Sequence, residues 1–280
     1  MNQLLLEDFV RRAIAEDIGD GDHTSLACVP KDLNGKAELL VKEEGILAGI
    51  EVVQTVFRLV DPLLNCSIFI QDGSRINPGD IAFSLTGPRQ SILKAERLSL
   101  NILQRMSGIA TQTARYTSLV EGTSAKVLDT RKTTPNLRFI EKEAVKIGGG
   151  YNHRMGLYDM IMIKDNHIDF AGGIKKAIDK TVNYLRDTRR ELKIEIEVRD
   201  FQELKEVLAC GRVDRIMLDN FTPEQTREAV HLIDNSFEVE SSGGISLETI
   251  RKYAETGVDY ISVGALTHQI FSLDMSLKAV

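Results

Sequence analysis

The first third of the chain mixes hydrophobic positions at helical spacing with short strand-like runs. Leu5, Phe9, Ile14 and their neighbours recur on one side of a helix, and the Gly-Asp-Gly-Asp run at 19–22 ends it. The long helix that begins after Pro88 connects this part of the chain to a more regular second part. We predict helices over 4–17, 50–60 and 88–122, and strands over 36–41, 66–70 and 81–85.

From residue 125 onward, hydrophobic runs recur at regular intervals, and each ends in polar or small residues. Such a series is typical of a parallel β/α barrel whose chemistry lies at the carboxyl ends of the strands. A doubly wound open sheet is the alternative, but it would concentrate ligand residues near one switch point, whereas polar residues follow nearly every run here. We predict strands over 125–128, 160–163, 194–198, 215–218, 237–240 and 260–263, with helical stretches such as 202–209, 223–233 and 247–256 between them.

Composition narrows the class of protein. The 280 residues are 42% hydrophobic and 27% charged, which is typical of a globular protein with a sizeable core. The net charge of −6 argues against a nucleic-acid or anionic-membrane surface, so any anion site must be a local cationic cluster. The three cysteines fit neither a disulfide framework nor a zinc site, the N-terminus lacks a signal-peptide pattern, and no segment has membrane-spanning length. These features favour a cytoplasmic location.

One cationic cluster lies early in the second part of the chain. Arg131 and Lys132 follow one predicted strand, His153 and Arg154 precede the next, and Lys164 follows that one. Arginine offers a planar fork for carboxylate or phosphate and lysine a compact charge, so this combination at strand ends favours a small polyanionic ligand. The alternative is solvated surface charge held in ordinary ion pairs.

Carboxylates and glycines follow the later strands. Glu197 and Asp219 stand at the ends of adjacent predicted strands, where two carboxylates can hold Mg²⁺ and through it a diphosphate. Glu195 shares a strand face with Glu197, so either glutamate could be the one on the metal side. The alternative is that these carboxylates are buried and form ion pairs with Arg or Lys. Ser242-Gly243-Gly244 and Gly264 each lie between a strand and a helix, where backbone N–H groups can bind a phosphate. No nucleotide-binding glycine motif and no metal-binding histidine pair occurs.

Longer strings are specific enough to identify a family. The most specific are Asp129-Thr130-Arg131-Lys132-Thr133-Thr134-Pro135, Asn152-His153-Arg154-Met155-Gly156-Leu157 and Ile163-Lys164-Asp165-Asn166-His167. Further strings are Glu16-Asp17-Ile18-Gly19, Ala95-Glu96-Arg97, Ser107-Gly108-Ile109-Ala110-Thr111, Leu218-Asp219-Asn220-Phe221, Ser241-Ser242-Gly243-Gly244-Ile245 and Gly264-Ala265-Leu266-Thr267-His268. With these strings, which extend over nearly the whole chain, the sequence resembles the quinolinate phosphoribosyltransferase family.

The resemblance implies a fold of two domains and an assembly. The first domain is an N-terminal α/β sandwich over residues 1–110, and the second an incomplete β/α barrel of about seven strands over 111–268. A C-terminal tail, 269–280, packs back on the first domain. The resemblance also implies a homodimer, or a hexamer, with active sites at the subunit interface, where Arg97 reaches the site of the neighbouring subunit.

The resemblance further assigns roles to individual residues. Lys132, Glu197 and Asp219 are the catalytic candidates, and Mg²⁺ is the implied cofactor, held by Glu197 and Asp219. Asn136 departs from the family, which commonly has glycine there; asparagine tolerates left-handed backbone angles, so we expect the turn to be kept. The implied contacts to quinolinate and phosphoribosyl pyrophosphate are Arg97, Arg131, Lys132, His153, Arg154, Lys164, Glu197 and Asp219, and those to the 5-phosphate are Ser242, Gly243, Gly264 and His268.

The implied activity is transfer of a phosphoribosyl group to quinolinate with loss of carbon dioxide, in NAD biosynthesis, and Lys132 is a candidate proton source. The rivals are a nicotinate-type phosphoribosyltransferase, the molybdenum-operon paralogue of the same fold, and a non-catalytic binding protein on the same scaffold. The intact cationic set and the string at 164–167 favour the dicarboxylate substrate. We interpret the turns over 72–80 as a hairpin of the first domain, since no modifiable lysine pair supports a carrier role.

Overall fold

The computed structural model describes residues 2–280. The helices are α1 (Gln3–Ile18), α2 (His23–Cys28), α3 (Ile50–Val60), α4 (Arg89–Leu119), α5 (Arg138–Ile147), α6 (Asp165–Ala171), α7 (Ile174–Thr188), α8 (Phe201–Cys210), α9 (Pro223–Ile233), α10 (Ile250–Ala254) and α11 (Ala265–His268). The strands are β1 (Asn34–Val41), β2 (Gly45–Ile46), β3 (Asn65–Ile68), β4 (Arg75–Ile76), β5 (Ile81–Pro88), β6 (Lys126–Leu128), β7 (Ile161–Ile163), β8 (Ile194–Val198), β9 (Arg215–Asp219), β10 (Glu238–Ser242), β11 (Tyr260–Ser262) and β12 (Met275–Ala279).

The chain divides into two compact units. The first consists of the chain up to Ala114, together with Ile140–Gly149 and Gln269–Val280, and the second of Arg115–Phe139 and Gly150–His268. Across residues 2–280, no helix joins the length and the apolar character that a membrane span requires.

The first unit is built on a four-stranded antiparallel sheet in the order β12-β1-β5-β3. Every second residue from Leu39 to Val41 of β1 is buried, as expected for a strand with one face on a core. Phe57 of α3 meets Phe83 of β5 edge-on, with ring centroids 5.6 Å apart, so this helix covers the sheet. The predicted hairpin over 72–80 is wrong: the two-residue β4 pairs with the distant β2, because only two residues between the turns are extended.

The first unit takes in segments that lie far apart in sequence. Glu141 is fully buried and accepts hydrogen bonds from Nε and Nη2 of Arg105, at 3.0 and 2.8 Å, so the segment Ile140–Gly149 belongs to this unit. The predicted second domain, 111–268, is one continuous stretch, whereas the second unit of the structure leaves out 140–149. β12 pairs with β1 from Ala37↔Ala279 to Val41↔Met275.

The second unit is built on a parallel sheet of six strands in the order β6-β11-β10-β9-β8-β7. An isolated parallel bridge between Leu128 and Tyr151 adds a seventh extended segment beside β6. All five residues of β8 are buried, as expected for a parallel strand that is covered on both faces. The predicted α/β fold is confirmed, and α9 has the predicted bounds, whereas α10 is shorter than the predicted 247–256.

This parallel sheet curls until its two edges approach each other. His153 follows the bridge at one edge, whereas β8 lies next to the opposite edge, yet His153 Nε2 is 3.0 Å from Glu195 Oε2. Within the described residues, no strand pairing joins the segment at Tyr151 to β7, so the seam stays open. A curled parallel sheet of this kind is an incomplete barrel, and the carboxyl ends of its strands meet at one end.

Candidate active site

The concave face of the curled sheet carries many charged side chains. Side chains of every second residue point to the same face of a strand, and Arg215 contacts Glu238 at 3.2 Å and Glu240 at 3.0 Å across the β9–β10 pair. Bulky apolar residues normally fill the interior of an α/β barrel, so these charges call for a specific arrangement. The polar residues that alternation assigns to this face are Glu195 and Glu197 of β8, Arg215 and Asp219 of β9, and Glu238, Glu240 and Ser242 of β10.

Four of the deep residues form what we call the interior cluster: His153, Glu195, Arg215 and Glu240. His153 Nε2 lies 3.0 Å from Glu195 Oε2 and 3.5 Å from Glu240 Oε2, and both glutamates are fully buried. Arg215 Nη1 lies 3.0 Å from Glu240 and 4.0 Å from Glu195. The guanidinium thus balances buried negative charge, without which the glutamates would carry a large desolvation cost.

The interior cluster retains a proton to high pH. Burial lowers the pKa of His153, but the hydrogen bonds with Glu195 and Glu240 outweigh it and raise this pKa to about 9. Burial raises the pKa of Glu195 to about 7. Because His153 Nδ1 accepts the backbone N–H of Arg154 at 2.7 Å, that nitrogen is unprotonated. The pKa of about 9 then describes a proton that the cluster shares: the imidazole carries a proton on Nε2 alone, and the additional proton lies on a carboxyl group.

A second group of charges lies at the carboxyl ends of the strands. Lys164 follows β7 and contacts Glu197 at the end of β8, with 3.1 Å between Nζ and Oε2. Asp219 ends β9, and its Oδ2 accepts a hydrogen bond from Asn220 Nδ2 at 2.7 Å. The pKa of Asp219 is raised, because the effect of burial exceeds the opposing effects of the Asn220 hydrogen bond and of the charges of Lys164 and Lys132. We call Lys132, Lys164, Glu197 and Asp219 the carboxyl-edge cluster.

Lys132 is fixed by the segment that follows β11. Its carbonyl oxygen accepts a hydrogen bond from Thr267 Oγ1 at 2.8 Å. A Cβ on Gly264 would lie 3.1 Å from both Lys132 Cδ and His268 Nε2, a separation tighter than most side-chain contacts allow. Glycine at 264 therefore lets these two side chains pass close to the backbone.

A tight turn after β10 holds the residue that orients Asp219. Gly243 has a φ of +102°, and a Cβ there would overlap Oδ1 of Asn220 and lie 2.9 Å from its backbone nitrogen. The N–H of Asn220 donates to the carbonyl of Ser242 at 2.8 Å. The Ser242-Gly243 backbone thus packs directly on Asn220, because glycine leaves room for it.

Arg138 joins the two loops that carry the first cations. Its Nε donates to Thr133 Oγ1 and its Nη1 to the carbonyl of Met155, both at 3.0 Å. The guanidinium of Arg154 donates to Met160 O at 3.2 Å, and burial together with the charge of Arg131 lowers the Arg154 pKa. The charges of these two arginines repel each other, which favours the binding of an anion near them.

The structure brings most of the predicted site residues together within the second unit. Lys132 meets Gly264 and His268, Lys164 meets Glu197, and Ser242 pairs with Asp219 in the β9–β10 register. His153 lies deeper than the others, with 6% of its side chain exposed. Arg97 belongs to α4 in the first unit. Asn136 has a φ of +65°, as expected from the left-handed turn predicted there.

Several residues of the site were not singled out from the sequence. Glu240 and Arg215 lie inside predicted strands. A charged residue within an otherwise apolar strand was the sequence feature that could have indicated them. Asp159 accepts the backbone N–H groups of Met155 and Gly156, at 2.7 and 2.9 Å, and shapes the loop after Arg154. No spacing rule connects it with that loop, because the contact depends on the loop conformation.

Comparisons with known proteins agree with this geometry. The family model for the C-terminal domain of quinolinate phosphoribosyl transferase matches residues 109–278, and the model for its N-terminal domain matches residues 22–107. The two matches together extend over most of the chain.

Relatives are similar to this chain over most of their length. Quinolinate phosphoribosyltransferase (decarboxylating) 1b of Nicotiana tabacum is 44% identical over 288 aligned positions, which include 98% of this chain and 82% of that protein. Nicotinate-nucleotide pyrophosphorylase (carboxylating), chloroplastic, of Arabidopsis thaliana is also 44% identical, with the same shares. The crystal structure of NadC from Streptococcus pyogenes superimposes with a TM-score of 0.94 at 41% identity, over 99% of this chain and 97% of that one. The chain therefore belongs to the quinolinate phosphoribosyl transferase family.

Proposed function

We propose that this protein transfers the phosphoribosyl group of phosphoribosyl pyrophosphate to quinolinate, releasing pyrophosphate and carbon dioxide and forming nicotinate mononucleotide for NAD biosynthesis. The names of the relatives from N. tabacum and A. thaliana denote this reaction. The observation that carries the proposal is the carboxyl-edge cluster, in which lysines and carboxylates converge beside two glycine turns. Such an edge suits a ligand with several anionic groups.

In this proposal the cationic residues bind quinolinate, and the glycine turns bind the 5-phosphate of phosphoribosyl pyrophosphate. Arg131, Arg154 and Lys164 bind the carboxylates of quinolinate, and the lowering of the Arg154 pKa by the charge of Arg131 supports this. His153 was also expected at this ligand from the sequence, but its ring nitrogens already face Glu195, Glu240 and the Arg154 N–H, so it supports Arg154 from behind. Ser242, Gly243, Gly264 and His268 bind the 5-phosphate of the second substrate. The support is steric, since a Cβ at Gly243 would overlap Asn220 and a Cβ at Gly264 would crowd Lys132 and His268.

Glu197 and Asp219 are proposed to hold Mg²⁺. Lys164 contacts one oxygen of Glu197 and Asn220 one oxygen of Asp219, so each carboxylate can present its second oxygen. Magnesium in proteins is commonly held by one or two carboxylates together with substrate phosphates, and this donor set fits that pattern. When bound, the ion supplies positive charge to the diphosphate.

The proposed reaction exchanges one bond at ribose C1 for another. The pyridine nitrogen forms a bond to C1 as the bond from C1 to pyrophosphate breaks, and the lysines of the carboxyl-edge cluster stabilise the leaving group. The ring nitrogen is then quaternary, so the adjacent carboxylate can leave as carbon dioxide and its electron pair stays on the ring carbon. Lys132 donates a proton to that carbon.

The proposal also includes the assembly and location. The protein forms a homodimer in which Arg97 of one subunit completes the quinolinate site of its partner, and a hexamer can be built from such dimers. It acts in the cytoplasm, which the free thiols of Cys28, Cys66 and Cys210 support. Size-exclusion chromatography with light scattering and cell fractionation test these two points.

An assay of purified protein tests the reaction. Quinolinate, phosphoribosyl pyrophosphate and Mg²⁺ are supplied, nicotinate mononucleotide and carbon dioxide are followed, and nicotinate serves as a parallel substrate. We expect product from quinolinate alone. Lys164→Ala should lower kcat/KM at least about tenfold, whereas Lys175→Ala, on the exposed side of α7, should leave it unchanged. Turnover of nicotinate instead would indicate the rival transferase, and no turnover of either would indicate a binding protein.

A further inference from the structure

The interior cluster contains charged residues to which the proposed reaction gives no role. Glu240 is fully buried and contacts both His153 and Arg215. A buried ionic group is often less stable than apolar residues of similar size in the same place, so stability alone does not account for Glu240. The arrangement around His153 suggests what it does.

A metal ion is one reading of His153, Glu195 and Glu240, whose ligand atoms lie within 4.8 Å of one another. The contacts argue against it. Arg215 Nη1 already lies 3.0 Å from Glu240, and His153 Nε2 lies 3.0 Å from Glu195, which is hydrogen-bonding distance. The guanidinium thus supplies the positive charge that a metal ion would bring.

The ring of His153 is constrained on both nitrogens. Nε2 lies 3.0 Å from Glu195 Oε2 and 3.5 Å from Glu240 Oε2, and Nδ1 accepts the backbone N–H of Arg154 at 2.7 Å. The backbone N–H of His153 donates to Asp129 Oδ1 at 2.8 Å, so the main chain is fixed as well. The carboxylates select the tautomer that can receive Arg154, in the way that a carboxylate behind a metal-bound or catalytic histidine does.

We infer that Glu240 and Arg215 are positioning residues: they hold His153 as the Nε2–H tautomer, and His153 in turn fixes the main chain of Arg154. Arg215 fixes Glu240 through Nη1 while its Nη2 is held by Glu238 at 3.2 Å. The ring of Tyr260 lies 3.9 Å from the guanidinium carbon, which further limits the orientation of Arg215. The inference rests on the proposed function only in assigning Arg154 to quinolinate.

The consequence is a selective effect on one substrate. Loss of the Glu240 charge frees His153 to turn or to change tautomer, so Arg154 loses its partner and the dicarboxylate binds less tightly. The Glu240 carboxylate contacts His153 and Arg215, both outside the glycine turns at 243 and 264, so the phosphate side should keep its affinity.

The test compares Glu240→Gln with Glu238→Gln. Both glutamates belong to β10 and both variants remove one carboxylate from Arg215, but it is the Glu240 carboxylate that lies 3.5 Å from His153 Nε2. We expect Glu240→Gln to raise the KM for quinolinate at least about tenfold and to change the KM for phosphoribosyl pyrophosphate less than about twofold. Glu238→Gln should change neither by more than about twofold. Equal KM values for quinolinate in the two variants, or a parallel loss for both substrates, would overturn the inference.

A second measurement is made on the native protein and needs no turnover. ¹⁵N NMR of the histidine side chains, with the His153 signals assigned from His153→Gln, reports the tautomer in the native protein at neutral pH. A protonated Nε2 and an unprotonated Nδ1 are expected. The opposite tautomer, or two protonated nitrogens, would refute the inference even if the enzyme turns over quinolinate; the expected tautomer in a protein inactive with quinolinate would instead count against the proposed function alone.

Discussion

Gly243→Ala should displace the side chain that orients Asp219. The φ of Gly243 is +102°, and an added Cβ would overlap Oδ1 of Asn220 and lie 2.9 Å from its backbone nitrogen. Asn220 donates from Nδ2 to Asp219 at 2.7 Å and from its backbone N–H to Ser242 at 2.8 Å. The methyl group cannot be accommodated without moving Asn220, and the bond to Asp219 is lost with it.

Two costs add in this variant. A left-handed backbone costs an alanine about 1–2 kcal/mol, and overpacking of a close contact typically costs about 1–3 kcal/mol. We therefore expect the free energy of unfolding to fall by about 2–5 kcal/mol. Gly244→Ala is the matched control, because Gly244 has a φ of +60° and open space around a Cβ, so it carries only the first cost.

Chemical denaturation of both variants measures this difference, and initial rates measure its effect on function. Phosphoribosyl pyrophosphate is varied at saturating quinolinate, and then the reverse. Relative to Gly244→Ala, Gly243→Ala should lose at least about tenfold in kcat/KM for phosphoribosyl pyrophosphate, with less than about twofold change in the KM for quinolinate. If the two variants unfold with the same free energy and react at the same rate, Asn220 is not displaced and the reasoning is refuted.

Three further predictions concern the charged groups. The folded interior cluster keeps, up to about pH 9, a proton that the unfolded chain loses near pH 6.5, so the cluster stabilises the protein fully below about pH 6.5 and loses this contribution as the pH rises through about 9. Denaturation at both pH values should show a loss of up to about 3 kcal/mol that is smaller in Glu240→Gln, and an equal loss would contradict the assignment. Lys132→Ala should lower the single-turnover rate constant at least about tenfold, and an unchanged rate constant would exclude Lys132 as the proton donor. Mixing inactive Arg97→Ala and Lys132→Ala subunits should restore activity if each site uses both subunits, and no recovery would argue against a shared site.

Local patterns were sufficient for the elements that form the second unit. Each predicted strand from 125 to 263 overlaps an observed one, because a buried parallel strand is a continuous apolar run and polar residues mark its end. The same polar endings predict Lys164, Glu197 and Asp219 at one edge of the sheet. For that reason the candidate site was largely predictable.

Contacts between distant segments were not predictable in this way. The pairing of β12 with β1 joins residues more than two hundred positions apart, and Glu141 reaches Arg105 from a helix that no pattern assigned to the first unit. Short strands such as β2 and β4 form because a partner is near, since two residues have no propensity signal of their own. Tertiary contacts therefore decided the parts of the fold that periodicity left open.

Glu195 and Glu197 show that depth along a strand decides the role of a carboxylate more than its residue type does. Both point to the interior, and two residues of parallel strand span about 6.6 Å. The inner glutamate is fully buried and 3.0 Å from His153, where a cation from solvent has no path to it. The outer one contacts Lys164 at the carboxyl edge and keeps 11% of its side chain exposed. A diphosphate with its metal ion can approach only from that edge, so Glu197, and not Glu195, is the metal-side candidate.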